Sequence, residues 1–241
     1  MGLDLIRYLS NRTIRPEEIK KKTGPPGPVI TISREVGCSG LELAELLAGR
    51  LNETTPNRKW RVLSKEIFQQ SAHELEIDPS KVARIFRQND RTAIDEILAA
   101  FGEKRYKSDR KIKKTVCDVI RNFAEEGFCI IVGRGGNAIA ADIRNSIHVR
   151  LVAPLEYRVK SIMLKNGINR EGALEFIRKV EKERLAYRHA VEGTPTGDPE
   201  IFDITFNRAT FSAEVISDLI LCAIHDKKIL DDYPAKKPAS Q

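Results

Sequence analysis

Residues 29–52, VITISREVGCSGLELAELLAGRLN, constrain the fold more than any other stretch of the chain. Val29 to Ile32 is a short continuous apolar run, the pattern of a strand buried on both faces. SREVGCSG follows, with Gly37 and Gly40 permitting tight backbone turns. LELAELLAGRL then places leucines and alanines at helical spacing. A buried strand, a glycine turn and a helix in that order make an anion cradle. The turn amides and the helix N-terminus face the same space.

The rest of the chain repeats the strand and helix alternation. WRVL at 60–63 is a second strand candidate, and 65–126 is helical in pattern, with Asp78-Pro79 opening one helix. FCIIV at 128–132, ended by GRGG, fits an interior parallel strand; IHVRLVA at 147–153 is another. Pro154 starts a helix that Gly167 ends, and Arg170 to Val191 form a long charged helix. EGTPTGDPE is a loop, FDITFN a last strand, and SAEVISDLILCAIH a last amphipathic helix capped by Ser212. Such alternation predicts a parallel sheet covered on both faces. Ligands of such sheets bind beyond the carboxyl ends of the strands. Three polar segments leave strands there, at 33–40, 133–137 and 207–210, and together they predict one pocket.

TGPPGP, Thr23 to Pro28, separates an N-terminal helical arm from the domain. The expected organisation is an arm and linker at 1–28, one domain at 29–226 and a polar tail at 227–241. At 241 residues the chain buries roughly 70–75% of its unfolded surface, enough for its own core. No apolar run reaches membrane-spanning length, and MGLDLIRYLSNR lacks the features of a secretion signal. Cys38, Cys117, Cys129 and Cys222 show no paired spacing. Three of them sit in apolar patterns, as buried free thiols of a cytoplasmic protein would. No Cys/His group has zinc-ligand spacing.

The formal net charge of +7 raises the question of nucleic acid. Residues 1–28 carry six Lys/Arg against three Asp/Glu, 227–241 carry four against two, and 29–226 carry 31 against 29. The excess sits mainly at the ends, and RKIKK at 110–114 has no stacking aromatics beside it, so nucleic-acid binding is disfavoured. LDLIRYL at 3–9 is a candidate docking helix between subunits of a homo-oligomer.

Within the expected pocket, the usual phosphate loop, G-x-x-x-x-G-K-[ST], would put its lysine at Gly40 and its hydroxyl at Leu41; Arg34 stands at the first glycine. Arg134 comes straight off an interior strand. Its planar fork suits phosphate, and a salt bridge to Glu35 or Glu42 is the alternative. Glu181, Arg184 and Arg188 share a helix face, as a solvated face or as a lid over the pocket. Arg158 and Lys160 are weaker candidates, and His148, in a strand pattern, is structural.

The ordered set ITISREVGCSGLELAELLAGRLN, VLSKEIF, IIVGRGGNAI, HVRLVAPLEYRVKSIM, EKERLAYRHAVEG and DPEIFDITFNRATFSAEVISDLI resembles the cytidylate-kinase-like branch of the P-loop nucleoside monophosphate kinases, from about residue 29 to 226. The resemblance implies an α/β, three-layer α/β/α P-loop kinase fold with a five-stranded parallel sheet and helical acceptor-binding and lid insertions. It implies transfer of the ATP γ-phosphoryl group, with Mg2+, to a nucleoside monophosphate, CMP by family label. It places the phosphates at Ser33, Arg34, Gly37, Cys38, Ser39 and Gly40. It puts acceptor contacts at Lys65 and Arg134, and an acidic–arginine–tyrosine lid pattern at Glu181, Arg184 and Tyr187. Arg34, Arg134 and Arg184 become the expected catalytic cations. The absent loop lysine is the main departure, and it keeps a second reading open: a non-catalytic nucleotide-binding or sensing module with a degenerate phosphate loop.

Overall fold

The computed structural model describes residues 26–55, 58–64, 117, 120–192, 201–231 and 233; side chains of 187–192 lie outside the description. The chain divides into one unit of residues 25–62 and 120–241 and another of residues 1–24 and 63–119. The account below concerns the first. The expected N-terminal arm to residue 25, the helices between 65 and 116, RKIKK, the 193–200 loop and residues 234–241 lie outside the described residues.

Five strands form one sheet: β1 (Val29–Arg34), β2 (Arg61–Leu63), β3 (Cys129–Val132), β4 (Ser146–Val152) and β5 (Ile204–Asn207). Their order across the sheet is β2-β3-β1-β4-β5. β1 runs parallel to both β3 and β4, pairing Ile30 with Ile130 and with Ile147; β4 runs parallel to β5, pairing Val152 with Asn207. The α/β parallel sheet expected from the alternation is therefore the fold. Val29, Ile30, Ile32, Ile130, Ile147, Val149 and Leu151 are fully buried, as interior strands of such a sheet require.

Helices α1 (Gly40–Thr54), α2 (Gly136–Ile139), α3 (Leu155–Asn166), α4 (Arg170–Glu192) and α5 (Ala213–Asp226) connect and follow the strands. α1 buries Leu43, Ala44, Leu47, Ala48 and Leu51, a stripe at helical spacing. Gly167 ends α3 in the left-handed conformation (φ 64°), and the Ser212 side chain accepts from the Val215 amide at the start of α5, as expected of each. α3 and α4 share an apolar cluster of Val36, Val159, Ile162, Ala173 and Ile177. Val36 thus ties the turn after β1 to this helical pair.

Two expectations on side chains need correction. Cys38 and Cys129 are buried, but Cys117 is only partly so and Cys222 is exposed. The apolar pattern around Cys222 includes Val215 and Leu219, which are themselves 43% and 42% exposed. Beyond α5, Ile229 is buried, and the Tyr233 hydroxyl donates to the Pro26 carbonyl at 3.0 Å while its ring meets Phe128 edge-on. Residues after 226 therefore pack on the domain before the chain turns polar.

Candidate functional site

In the sheet order β1 lies between β3 and β4: the chain leaves β1 for β2 on one side and later crosses from β3 to β4 on the other. Crossovers that leave in opposite directions open a crevice at the carboxyl end of the strand between them. The turn after β1 lies at that crevice. The strand extends through Ser33 and Arg34, two residues further than the apolar run, so the turn proper is 35–39.

Close packing dictates its conformation. Gly37 has φ 95°, and a Cβ there would lie 2.9 Å from Arg158 Cα and the Arg158 carbonyl oxygen. Only glycine lets the turn approach α3 so closely. The Cys38 amide donates to the Glu35 carbonyl at 3.3 Å, closing the turn. Ser39 is left-handed (φ 46°, ψ 44°) at the N-cap of α1 and makes no side-chain cap bond. The first amides of a 15-residue helix are thus left for another acceptor.

The Arg34 side chain crosses this helix start. A Cβ on Gly40 would lie 3.2 Å from Arg34 Cγ and Cδ, and a Cβ on Gly133 would lie 1.9 Å from Arg34 Nη1. The stem therefore covers the first residue of α1, and the guanidinium rests against the loop after β3. That loop is unusual in itself. Gly133, Arg134 and Gly135 are consecutively left-handed, with φ of 75°, 59° and 64°. For Arg134 this conformation costs about 1–2 kcal/mol, a strain typical of functional loops. The Gly133 amide donates to Ile32 O at 2.9 Å, fastening the loop to β1.

The long helix α4 reaches the same place. Arg184 Nη1 donates to the Arg34 carbonyl at 3.0 Å. Arg158, whose side chain is only 12% exposed, donates from Nε to Ala153 O at 3.1 Å, lies 3.5 Å from Glu35 Oε2 and pairs through Nη1 with Glu181. Glu35 Oε2 in turn accepts from the Ala153 amide at 3.1 Å. One arginine thereby joins the turn after β1, the exit of β4 and α4.

Of the residues singled out in the sequence, Arg34 and Arg184 are brought together, and Arg34 meets the loop that carries Arg134. Ser33, Gly37, Cys38, Ser39 and Gly40 line the strand end and turn. Glu181 is engaged by Arg158, and Glu35, weighed as a partner for Arg134, binds Arg158 and Ala153 instead. Tyr187 lies on α4, its side chain outside the description, and Lys65 lies outside the described residues. Burial first, and Glu35 second, push the Cys38 thiol up to about 11, against the charges of Arg158, Arg208 and Arg184. It stays a neutral thiol at neutral pH. His148 bonds to Thr31 Oγ1 at 2.8 Å and Ser146 Oγ at 3.2 Å, a structural role as expected. Arg158 and Arg208 were the residues that sequence reasoning undervalued. The available signal was topological: each closely follows the carboxyl end of a strand.

Comparison with known proteins follows the same lines. A family model described as the cytidylate kinase-like family matches residues 29–210. A cytidylate kinase of Methanothermobacter thermautotrophicus is 25% identical over 186 residues, covering 77% of this chain and 98% of that protein. A cytidylate kinase of Ignicoccus hospitalis is 30% identical over 112 residues, covering 46% of this chain and 64% of that protein. A uronate isomerase of Corynebacterium glutamicum is 24% identical over 114 residues; the chain spans 22% of its length. Among solved structures, an uncharacterized protein from Eubacterium ventriosum superposes with a TM-score of 0.57 at 23% identity, over 82% of this chain and 98% of that one.

Proposed function

This chain belongs to the cytidylate kinase-like family, and from that premise we propose that it transfers the γ-phosphoryl group of ATP to a nucleoside monophosphate. The observation that carries the reading is the path of Arg34. Its guanidinium lies between the capless start of α1 and the left-handed loop of Arg134. A cation there stands in for the missing loop lysine. The amides of 35–40 would hold the β- and γ-phosphates. Arg34 would balance their charge, and Arg134 would orient the acceptor phosphate. Arg184, already bonded to the Arg34 backbone, would bring the lid helix onto the transferring group. An acceptor phosphate oxygen forms the new P–O bond as the bond to the β,γ-bridging oxygen breaks, releasing ADP. Positioning and charge supply nearly all the acceleration in such transfers.

The turn fits a polyphosphate, having free helix-start amides and a cation beside them. Among the described residues no group of three or more His, Cys, Asp or Glu could hold a metal. Magnesium, which keeps most of its water, would arrive on the phosphate oxygens with few protein ligands. Among the described residues no helix is long and apolar enough to cross a membrane, and the proposed setting is the cytoplasm.

One observation favours the second reading, a nucleotide-binding module without turnover. Gly40, where the lysine would stand, has no room for a side chain unless Arg34 moves, and Glu181 is committed to Arg158. Calorimetric titration with Mg-ATP and each nucleoside monophosphate, CMP first, followed by a coupled ADP-release assay, separates the two. Turnover on a monophosphate supports the kinase. ATP binding with no turnover on any acceptor supports the module. No nucleotide bound at millimolar concentration sinks both.

A further inference from the structure

Arg208 follows β5 and is the one charged side chain among the described residues that is buried, at 8% exposure. Its Nη1 donates to the Phe211 carbonyl at 2.8 Å. Its Nε is buried without a hydrogen-bond partner, and no carboxylate among the described residues forms an ion pair with it. Glu214 lies fully exposed, its carboxyl held below the usual range first by its own backbone amide and then by Ser212, with the Arg208 charge a lesser cause. A buried guanidinium in this state is costly, because nothing replaces the water it has lost. With Nη1 on Phe211 and Nε enclosed, the guanidinium keeps its positive charge without a paired carboxylate among the described residues, and its field is left to act on an anion nearby.

Its position gives the charge a use. The Arg208 amide donates to Val152 O at 2.9 Å, and the next amide along β4, Ala153, donates to Glu35. Arg34 pairs with Leu151 in the same register. The carboxyl ends of β1, β4 and β5 are thus level, and Arg208 stands on the line of the turn at 35–39. Its charge is felt by Cys38 within that turn.

We propose that Arg208 is a phosphate-binding cation of this pocket, an unmatched charge kept behind the β1–α1 turn for the polyphosphate of the nucleotide. The proposal rests on the nucleotide reading above and adds a residue that the loop motif does not include. Between low-dielectric walls the charge acts across Cys38 without need of direct contact.

The test is Arg208→Met, which keeps the volume and removes the charge. Thermal melts of the unliganded protein are paired with titrations of Mg-ATP, inorganic tripolyphosphate and adenosine. The expected result is a melting temperature equal to or above wild type, with affinity for ATP and tripolyphosphate lowered roughly ten-fold or more. Adenosine binding should not change. A purely structural arginine would give the reverse, a lower melting temperature with affinity intact, and that result overturns the proposal. So does a variant that binds both anions as wild type does. Should Arg208→Met fail to fold, Arg208→Lys carries the test. ATP affinity within about three-fold of wild type supports a role for the charge, and loss of ATP affinity in folded protein overturns it. Tripolyphosphate separates this inference from the broader reading. Wild type that binds tripolyphosphate through Arg208 but no nucleotide keeps the anion site and loses the kinase. Wild type that binds neither loses both.

Discussion

Gly133→Ala should disable the site while leaving the fold nearly intact. The cost has two separable parts. The first is conformational: Gly133 has φ 75°, and a Cβ in the left-handed region costs about 1–2 kcal/mol. For a chain of this size that lowers the melting temperature by roughly 2–8 °C. The second is steric and local. The new Cβ would lie 1.9 Å from Arg34 Nη1. Ordinary contact is about 3.5–4.0 Å, so the guanidinium must retreat by roughly 1.5 Å or more. It can do so, because it is the far end of a flexible side chain. The clash therefore moves a charge rather than unfolding a loop. On the role proposed for Arg34, moving its charge away from the transferring phosphoryl group should lose roughly 10²–10³ in rate, about 2.7–4 kcal/mol of barrier. Steady-state kcat/KM with Mg-ATP, read beside a thermal melt, should show that loss with a small stability change. Arg34→Ala should lose as much, and Gly133→Ala combined with Arg34→Ala little more, since both remove one interaction. Full additivity in the double variant, or a Gly133→Ala protein as active as wild type, would refute the placement of Arg34. Gly37→Ala is the contrast. Its Cβ would meet the backbone of α3 at 2.9 Å, which cannot swing aside, and stability should fall much further.

Four other outcomes follow from the structure. Arg158→Met removes the common partner of Glu35 and Glu181. A fully buried pair broken this way costs about 3–5 kcal/mol, but these carboxylates are 30% and 40% exposed, so about 1–2 kcal/mol is expected by urea denaturation. The Cys38 thiol should resist thiol-specific reagents at pH 8 in the native state while exposed Cys222 reacts; equal rates would refute the burial. Since the folded value of Cys38, about 11, lies above its ordinary 9.0, its contribution to stability is whole below pH 9 and is lost as pH rises through 11. His148 shifts the other way, lowered by burial, so its contribution is present above its ordinary 6.5 and fades as pH falls below it. A Gln at 148 should flatten that acid limb of the melting curve.

The framework was legible because it rests on backbone preferences. Apolar runs, glycine turns and helical spacing located all five strands and the turn after β1 to within a residue or two. Side-chain direction was less legible. The glycine spacing marks where the chain bends, but not that Arg34, still in the strand, would lie along α1 and end against Gly133. Nor does it mark that Arg158, 23 residues before Glu181, would claim it. Such pairings depend on how α3 and α4 cross, which no local pattern encodes. Arg208 was hidden for a related reason. An arginine in a polar turn after a strand looks solvated until the fold covers it.

The hydroxyl of Tyr233 on the carbonyl of Pro26 brings the first and last described residues of this unit side by side, with Asn145 Nδ2 3.4 Å from the same hydroxyl. The outer boundaries of the unit are thus clasped at one point, at the end of the strands opposite the crevice, while the segment 63–119 leaves and re-enters between them. A strain applied at these outer boundaries is met by side-chain and ring contacts, and the crevice lies at the far end of the strands from it. Tension on the two ends would load this clasp and the edge-on stack on Phe128 before it reached the sheet.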